Sequence, residues 1–229
     1  MTLIGHLQVA RCAALALLAA AVAPALHAEG AFSQLYAARP PAGSSFVRVL
    51  NPGSAPLQVK IGQGPVQTIS GDAVASSYAI VKGNTEFAVV LDGKAGAPMK
   101  VAPDSFTSLV PTSGSAAALR ALDDSAGATQ DALKAELRFY NLIDGCAQGK
   151  VGIAPAGTPL FAALAGGGSA ARAINPVKAT LVGSCGEVST APLALPALQP
   201  GDHYSLFLTG TPARPILRGQ RSTTDSYRP

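Results

Sequence analysis

From residue 44 onward, apolar and polar side chains alternate in short runs, the period of a strand with one face in a core. Turn-forming residues punctuate the runs, as in Asn51-Pro52-Gly53-Ser54 and Asp92-Gly93. The pattern predicts strands over 44–51, 57–61, 66–69, 76–81, 86–91, 98–102 and 106–111. It predicts a second set over 135–142, 150–154, 160–165, 170–174, 177–182, 193–195 and 203–209. Short strands at spacings of about 8 to 12 residues point to an all-β fold of antiparallel sandwiches.

The two sets echo one another. Phe46-Val47-Arg48-Val49-Leu50-Asn51 returns as Glu136-Leu137-Arg138-Phe139-Tyr140-Asn141, and Asp104-Ser105-Phe106-Thr107 as Asp202-His203-Tyr204-Ser205. Between them, Thr85 to Val90 follows the pattern of Pro176 to Leu181. Three matches in one order imply two tandem domains of one design. The expected layout is a signal peptide over 1–28, a first sandwich over 29–112, a linker over 113–133 and a second sandwich over 134–229. The linker reading rests on the Ser/Ala/Gly-rich run from Thr112, which offers little to bury. Gly166-Gly167-Gly168 reads as a hairpin turn, because no Lys-Ser/Thr follows it as in a phosphate-binding loop. The arginine-bearing tail from Arg214 reads as a solvated end.

The N-terminus changes the compartment. Arg11 precedes an apolar run from Cys12 to Val22, followed by small residues up to Ala28, the form of a cleaved export signal. The run is too short for a membrane span, which needs about 20 residues. The expectation is an exported protein without a membrane anchor. Of the 17 basic residues only Arg11 lies before residue 29, leaving 16 against 13 acidic ones. A net charge of +3 with scattered cations excludes an ordinary nucleic-acid binder. Cys146 and Cys185 are the two cysteines after that segment, and in an exported chain they read as a disulfide.

Candidate chemistry is sparse. His203 is the one histidine after residue 28, so an acetyltransferase or esterase would have to use it. No Gly-x-Ser-x-Gly elbow accompanies it, and no metal or cofactor motif is present. Candidate binding residues are Arg48, Arg138, Tyr140, Lys178 and Tyr204. Arg48 and Arg138 are flanked by apolar neighbours, so each points away from its core, toward a partner or simply toward water.

Gly43 to Asn51 resembles the opening strand of the alginate biosynthesis protein AlgF family, and Ile174 to Lys178 and Tyr204 to Gly210 resemble its second domain. The cysteine pair, the glycine run and residues 62–77 depart from that pattern. The resemblance implies a non-catalytic accessory or adaptor in the periplasm, needed for O-acetylation of alginate. It implies as partners a membrane-bound acyltransferase and a periplasmic acetyltransferase, with the polymer itself as a further candidate. An exported carbohydrate-binding protein with no part in acetylation is the alternative.

Overall fold

The computed structural model describes residues 39–112, 118–128 and 131–227. The signal peptide expected over 1–28 lies outside these residues. The first half contributes β1 (Ser44–Val49), β2 (Leu57–Ile61), β3 (Gln67–Ile69), β4 (Ala79–Lys82), β5 (Val89–Leu91), β6 (Lys94–Ala95), β7 (Phe106–Pro111) and β8 (Leu119–Asp123). They form two sheets, ordered β4-β1-β7-β8 and β3-β2-β5-β6. Val47, Val49 and Leu109 from the first sheet meet Val59, Ile61, Ile69, Val89 and Leu91 from the second in one buried core.

The second half repeats this plan. Its strands are β9 (Ala135–Asn141), β10 (Gly149–Ile153), β11 (Thr158–Leu164), β12 (Ser169–Ile174), β13 (Thr180–Cys185), β14 (Val188–Ser189), β15 (Leu193–Ala194), β16 (His203–Thr211) and β17 (Arg214–Arg221). The sheets run β12-β9-β16-β17 and β11-β10-β13-β14, with β15 added beside β13. Apart from β15, each strand has a counterpart in the first half, in the same place in its sheet. The three echoed motifs thus fall on β1 with β9, β5 with β13 and β7 with β16, the last one residue out of the register that sets Phe106 opposite Phe46 and His203 opposite Glu136. Leu137, Phe139, Leu206 and Leu208 close the second core over Val151, Phe161 and Leu181. Cys146 and Cys185 are joined as a disulfide within it.

Three expectations are corrected. The sheets are not wholly antiparallel, because β1 pairs with β7 and β9 with β16 in parallel. Residues 119–123, inside the expected linker, form β8 along the outer side of β7. Leu122 is buried there, as it would not be in a flexible connector. The tail from Arg214 is not a solvated end: it forms β17, antiparallel to β16. Beyond β17, Thr224 makes a parallel bridge to Tyr78 and so straps the second half onto the first. Gly166 to Gly168 do form the turn between β11 and β12, with Gly167 at a φ of 80° that favours glycine.

Pro40–Tyr227 forms one compact unit. Its layers follow from the alternation: each central sheet turns one face to its own core and the other toward the opposite half. Leu50, Val74, Ala75, Val110 and Leu122 pack there against Tyr140, Leu142 and Phe207. Among the described residues no helix is long and apolar enough to cross a membrane.

Candidate functional site

Alternation places Phe46 and Arg48 of β1, and Ser108 of β7, on the face opposite the first core. Glu136, Arg138 and Tyr140 of β9, with His203, Ser205 and Phe207 of β16, take the corresponding face of the second half. The two faces meet at a buried cation. Arg48 is 1% exposed. Its Nε donates to Ser108 Oγ at 2.8 Å, and its Nη2 to Tyr140 Oη at 2.7 Å and Ser205 Oγ at 3.0 Å. Nη1 donates to Ser222 Oγ at 3.2 Å. The guanidinium also lies over the Tyr78 ring, 4.5 Å from its centroid.

The counter-charge is Asp124, just beyond β8, with its Oδ2 3.9 Å from Arg48 Nε. Three hydroxyls connect the pair or tie it down. Tyr78 and Ser108 donate to Asp124 Oδ2, and Tyr140 donates to Oδ1 at 2.6 Å. Ser108 and Tyr140 thus accept from the arginine and donate to the carboxylate, which gives the network one sense of direction. Burial opposes the Arg48 charge, but Tyr140, Tyr78 and Asp124 outweigh it and hold the guanidinium above its ordinary range. Burial also raises the Tyr140 phenol to about 12, against the lowering pull of Arg48, and raises Tyr78 further.

The strap completes the junction. Tyr78 N donates to Thr223 O and Asp225 N to Tyr78 O. Gln220 Oε1 accepts from the amides of Val74 and Ala75. Asp225 accepts from Ser77 and Gln67.

Between the halves, above this network, lies a cleft of about 440 Å³. From the first half it is lined by Arg48, Tyr78, Phe106, Asp124 and Ala128, and from the second by residues including Glu136, Arg138 and His203. Arg138, itself 5% exposed, directs Nε and Nη2 to Glu136 Oε1 at 3.3 and 3.1 Å, and Nη1 to Ala126 O at 3.0 Å. His203 is exposed at the rim, with Nδ1 3.6 Å from the same Glu136 oxygen. Phe106 is 37% exposed and stacks on Phe46 with ring centroids 4.4 Å apart.

Of the residues singled out from sequence, Arg48, Arg138 and Tyr204 line this cleft, and Tyr140 lies directly beneath it in the Arg48 network. Arg48 and Tyr140 are corrected as open binding residues: the opposite half covers both, leaving them 1% and 0% exposed. Tyr204 packs into the second core at 7% exposure. Lys178 is exposed, outside strand pairing and not part of the cleft. Sequence reasoning missed Asp124, Phe106 and Ser222. Asp124 and Ser222 lay in segments read as linker and tail, while the motif match set Phe106 against the core-facing Tyr204 although the sheet register makes His203 its counterpart. Among the described residues no group of three His, Cys, Asp or Glu side chains is placed to hold a metal.

Comparison with known proteins finds matches to one family. A family model described as "Alginate O-acetyl transferase AlgF" matches residues 14–205. The "Alginate biosynthesis protein AlgF" of Pseudomonas putida is 29% identical over 182 residues, covering 80% of each chain. A solved structure of the N-terminal domain of AlgF from P. aeruginosa aligns over 37% of this chain and 98% of its own, at 24% identity and a TM-score of 0.30.

Proposed function

The chain belongs to the alginate O-acetyl transferase AlgF family, a family of alginate biosynthesis proteins, and we propose that its part there is that of a non-catalytic periplasmic adaptor for O-acetylation. In this reading one sandwich holds an acetyltransferase of the machinery while the other holds a second component, the membrane-bound acyltransferase or the growing polymer. The observation that carries the proposal is the junction. Two sandwiches of one topology are joined by a directional buried network and by a strap, so that their outward faces are held in one relative orientation. A bridging protein needs such a fixed spacing. A single binding module does not need a duplicated fold.

The histidine geometry supports the same reading. His203 Nδ1 faces Glu136, and the nearby Ser205 hydroxyl is engaged by Arg48 and Ser222. Export rests on the N-terminal segment, and the disulfide accords with an oxidising compartment.

The test is deletion of the gene, followed by assay of secreted polymer for uronate and acetyl content together. The expected result is polymer in normal amount that lacks acetyl groups. Complementation with the protein restores acetylation, and complementation with an Arg48→Met variant, whose junction is broken, does not. Purified protein that acetylates oligomannuronate from a donor by itself, and loses that activity on His203→Ala, would replace the adaptor with an enzyme.

A further inference from the structure

We propose that the outward face of the sheet β11-β10-β13-β14 is a docking face for a protein partner, which presents to it a bulky apolar side chain beside a carboxylate. The inference rests on the adaptor reading for the existence of a protein partner, and deepens it by naming the face and the chemistry that meets it.

The two halves carry corresponding strands in corresponding places, so each outward face is a control for the other. Val59 opposite Leu91 and Ile61 opposite Val89 in the first half match Val151 opposite Gly183 and Ile153 opposite Leu181 in the second. Between these core-facing pairs, Lys60 opposite Val90 takes the place of Gly152 opposite Val182. The first face is ordinary for a sheet with one solvated side: Gln58, Lys60 and Thr68 stand on it. On the second, the long polar side chain is gone. Gly152 leaves Val182 part-exposed, and Pro155, Pro159 and Ala162 continue the lining of a groove of about 520 Å³. The glycine has a local cause. A Cβ there would stand 3.3 Å from Thr158 O and 3.4 Å from Gly157 O, because the turn from β10 to β11 closes over it.

Charge selects the occupant. Lys150 is exposed on the same groove, beside Ser184 and Ser189, and among the described residues it makes no ion pair. Residues 134–229 hold nine basic and five acidic side chains, a net charge of +4, whereas residues 39–133 hold seven of each. An apolar floor with an unpaired cation at its side complements an apolar anchor flanked by Asp or Glu. A second copy of this chain fits poorly, since a twofold contact would bring two such cationic faces together. A sugar polymer fits poorly too. The one aromatic residue of the groove, Phe161, is 6% exposed and belongs to the core, so no ring is offered as a platform.

The experiment is photo-crosslinking of the full chain in its native host, with p-benzoylphenylalanine at Ser189 on the groove or at Gln58 on the matching face. The expected result is a protein adduct at position 189 whose partner is not captured from position 58. Mass spectrometry maps the crosslink to a segment with a bulky apolar residue beside Asp or Glu. Lys150→Glu lowers the yield several-fold, and replacing the mapped carboxylate by lysine restores it. Val182→Lys, which sets a long polar side chain over the floor, lowers the yield as well. Lys150 is exposed, so its variant keeps the wild-type urea midpoint. No adduct at position 189 overturns the proposal, as does an adduct that is a second copy, a lipid or a polysaccharide. A yield indifferent to Lys150→Glu overturns it too. The adaptor reading is scored separately, on acetyl content in the deletion strain: polymer that lacks acetyl groups there, with no adduct at position 189, removes this face and leaves the adaptor standing.

Discussion

Replacing Arg48 by methionine tests whether the junction is as dry and as specific as its geometry implies. The substitution keeps length and apolar bulk but removes the charge. It leaves the Asp124 carboxylate, 2% exposed, with three hydroxyl donors and no counter-ion. It also strips a donor from Tyr140, Ser205, Ser222 and Ser108. Breaking a buried pair from one side costs about 3–5 kcal/mol, because the remaining charge is uncompensated. Asp124→Asn should cost a similar amount by leaving the guanidinium alone. The double variant should cost less than about 2 kcal/mol, since it buries no net charge and the new amide oxygen at position 124 still accepts from the hydroxyls. The assay is urea unfolding followed by circular dichroism and by tyrosine fluorescence. The chain has no tryptophan and five tyrosines, and Tyr78 and Tyr140 report from the junction itself. Wild type is expected to unfold in one transition, and Arg48→Met in two, as the sandwiches part. A cost for Arg48→Met below about 1 kcal/mol, or single costs that add within about 0.5 kcal/mol, would refute the reasoning. The junction would then be wet, and the ion pair would do little to hold the halves together.

Raised phenols make the same region sensitive to alkali. Tyr140 is held up to about 12 by burial, so its contribution is complete below the unfolded value near 10 and is lost as pH rises toward 12. Stability should fall by about 2–3 kcal/mol across that window, measured as urea midpoints, and Tyr140→Phe should flatten the fall. Reduction of Cys146–Cys185 opens a 39-residue loop and should cost about 4 kcal/mol on the chain-entropy model, read as the midpoint with and without dithiothreitol. Deleting residues 222–229 removes two backbone bonds to Tyr78 and the Ser222 contact with Arg48. The expected loss is about 2 kcal/mol, with faster proteolysis between the sandwiches. Gly83→Ala would set a Cβ 2.5 Å from Pro103 Cα and 2.8 Å from Gly43 O, both backbone atoms, and should cost about 1–3 kcal/mol by thermal melting.

The duplicated design was legible because strands carry it in a code of period two. Val47 and Val49, like Leu137 and Phe139, mark a core face that any alternating strand would show. That code also said which way Arg48 and Arg138 point, and the direction was right. What it could not say is what lies on the far side. A residue pointing away from its own core meets water in a lone sandwich, and in a tandem pair it can meet the other sandwich. Local sequence is the same in both cases. β8 was hidden for a related reason. With Leu119 and Leu122 as its only large apolar residues, its strand character comes from the ladder with β7, a long-range partner that propensity does not see.

The divergence of the two arginines follows from that far side. Arg48 and Arg138 occupy matching positions in β1 and β9, and each faces the opposite half. Arg48 reaches across to Tyr140, Ser205 and Ser222, and takes Asp124 of its own half as counter-ion. Arg138 pairs with Glu136 two residues back along the same strand and touches the first half through the Ala126 carbonyl. One strand side chain accounts for the difference, because the position matching Glu136 is Phe46. Without a carboxylate beside it, Arg48 must find acceptors elsewhere, and it finds three of its four hydroxyl partners in the other sandwich. With one, Arg138 is neutralised locally and remains at the cleft. An exchange of Phe46 and Glu136 should therefore weaken the junction and close the cleft together, whereas either effect alone would separate the two roles assigned to these arginines.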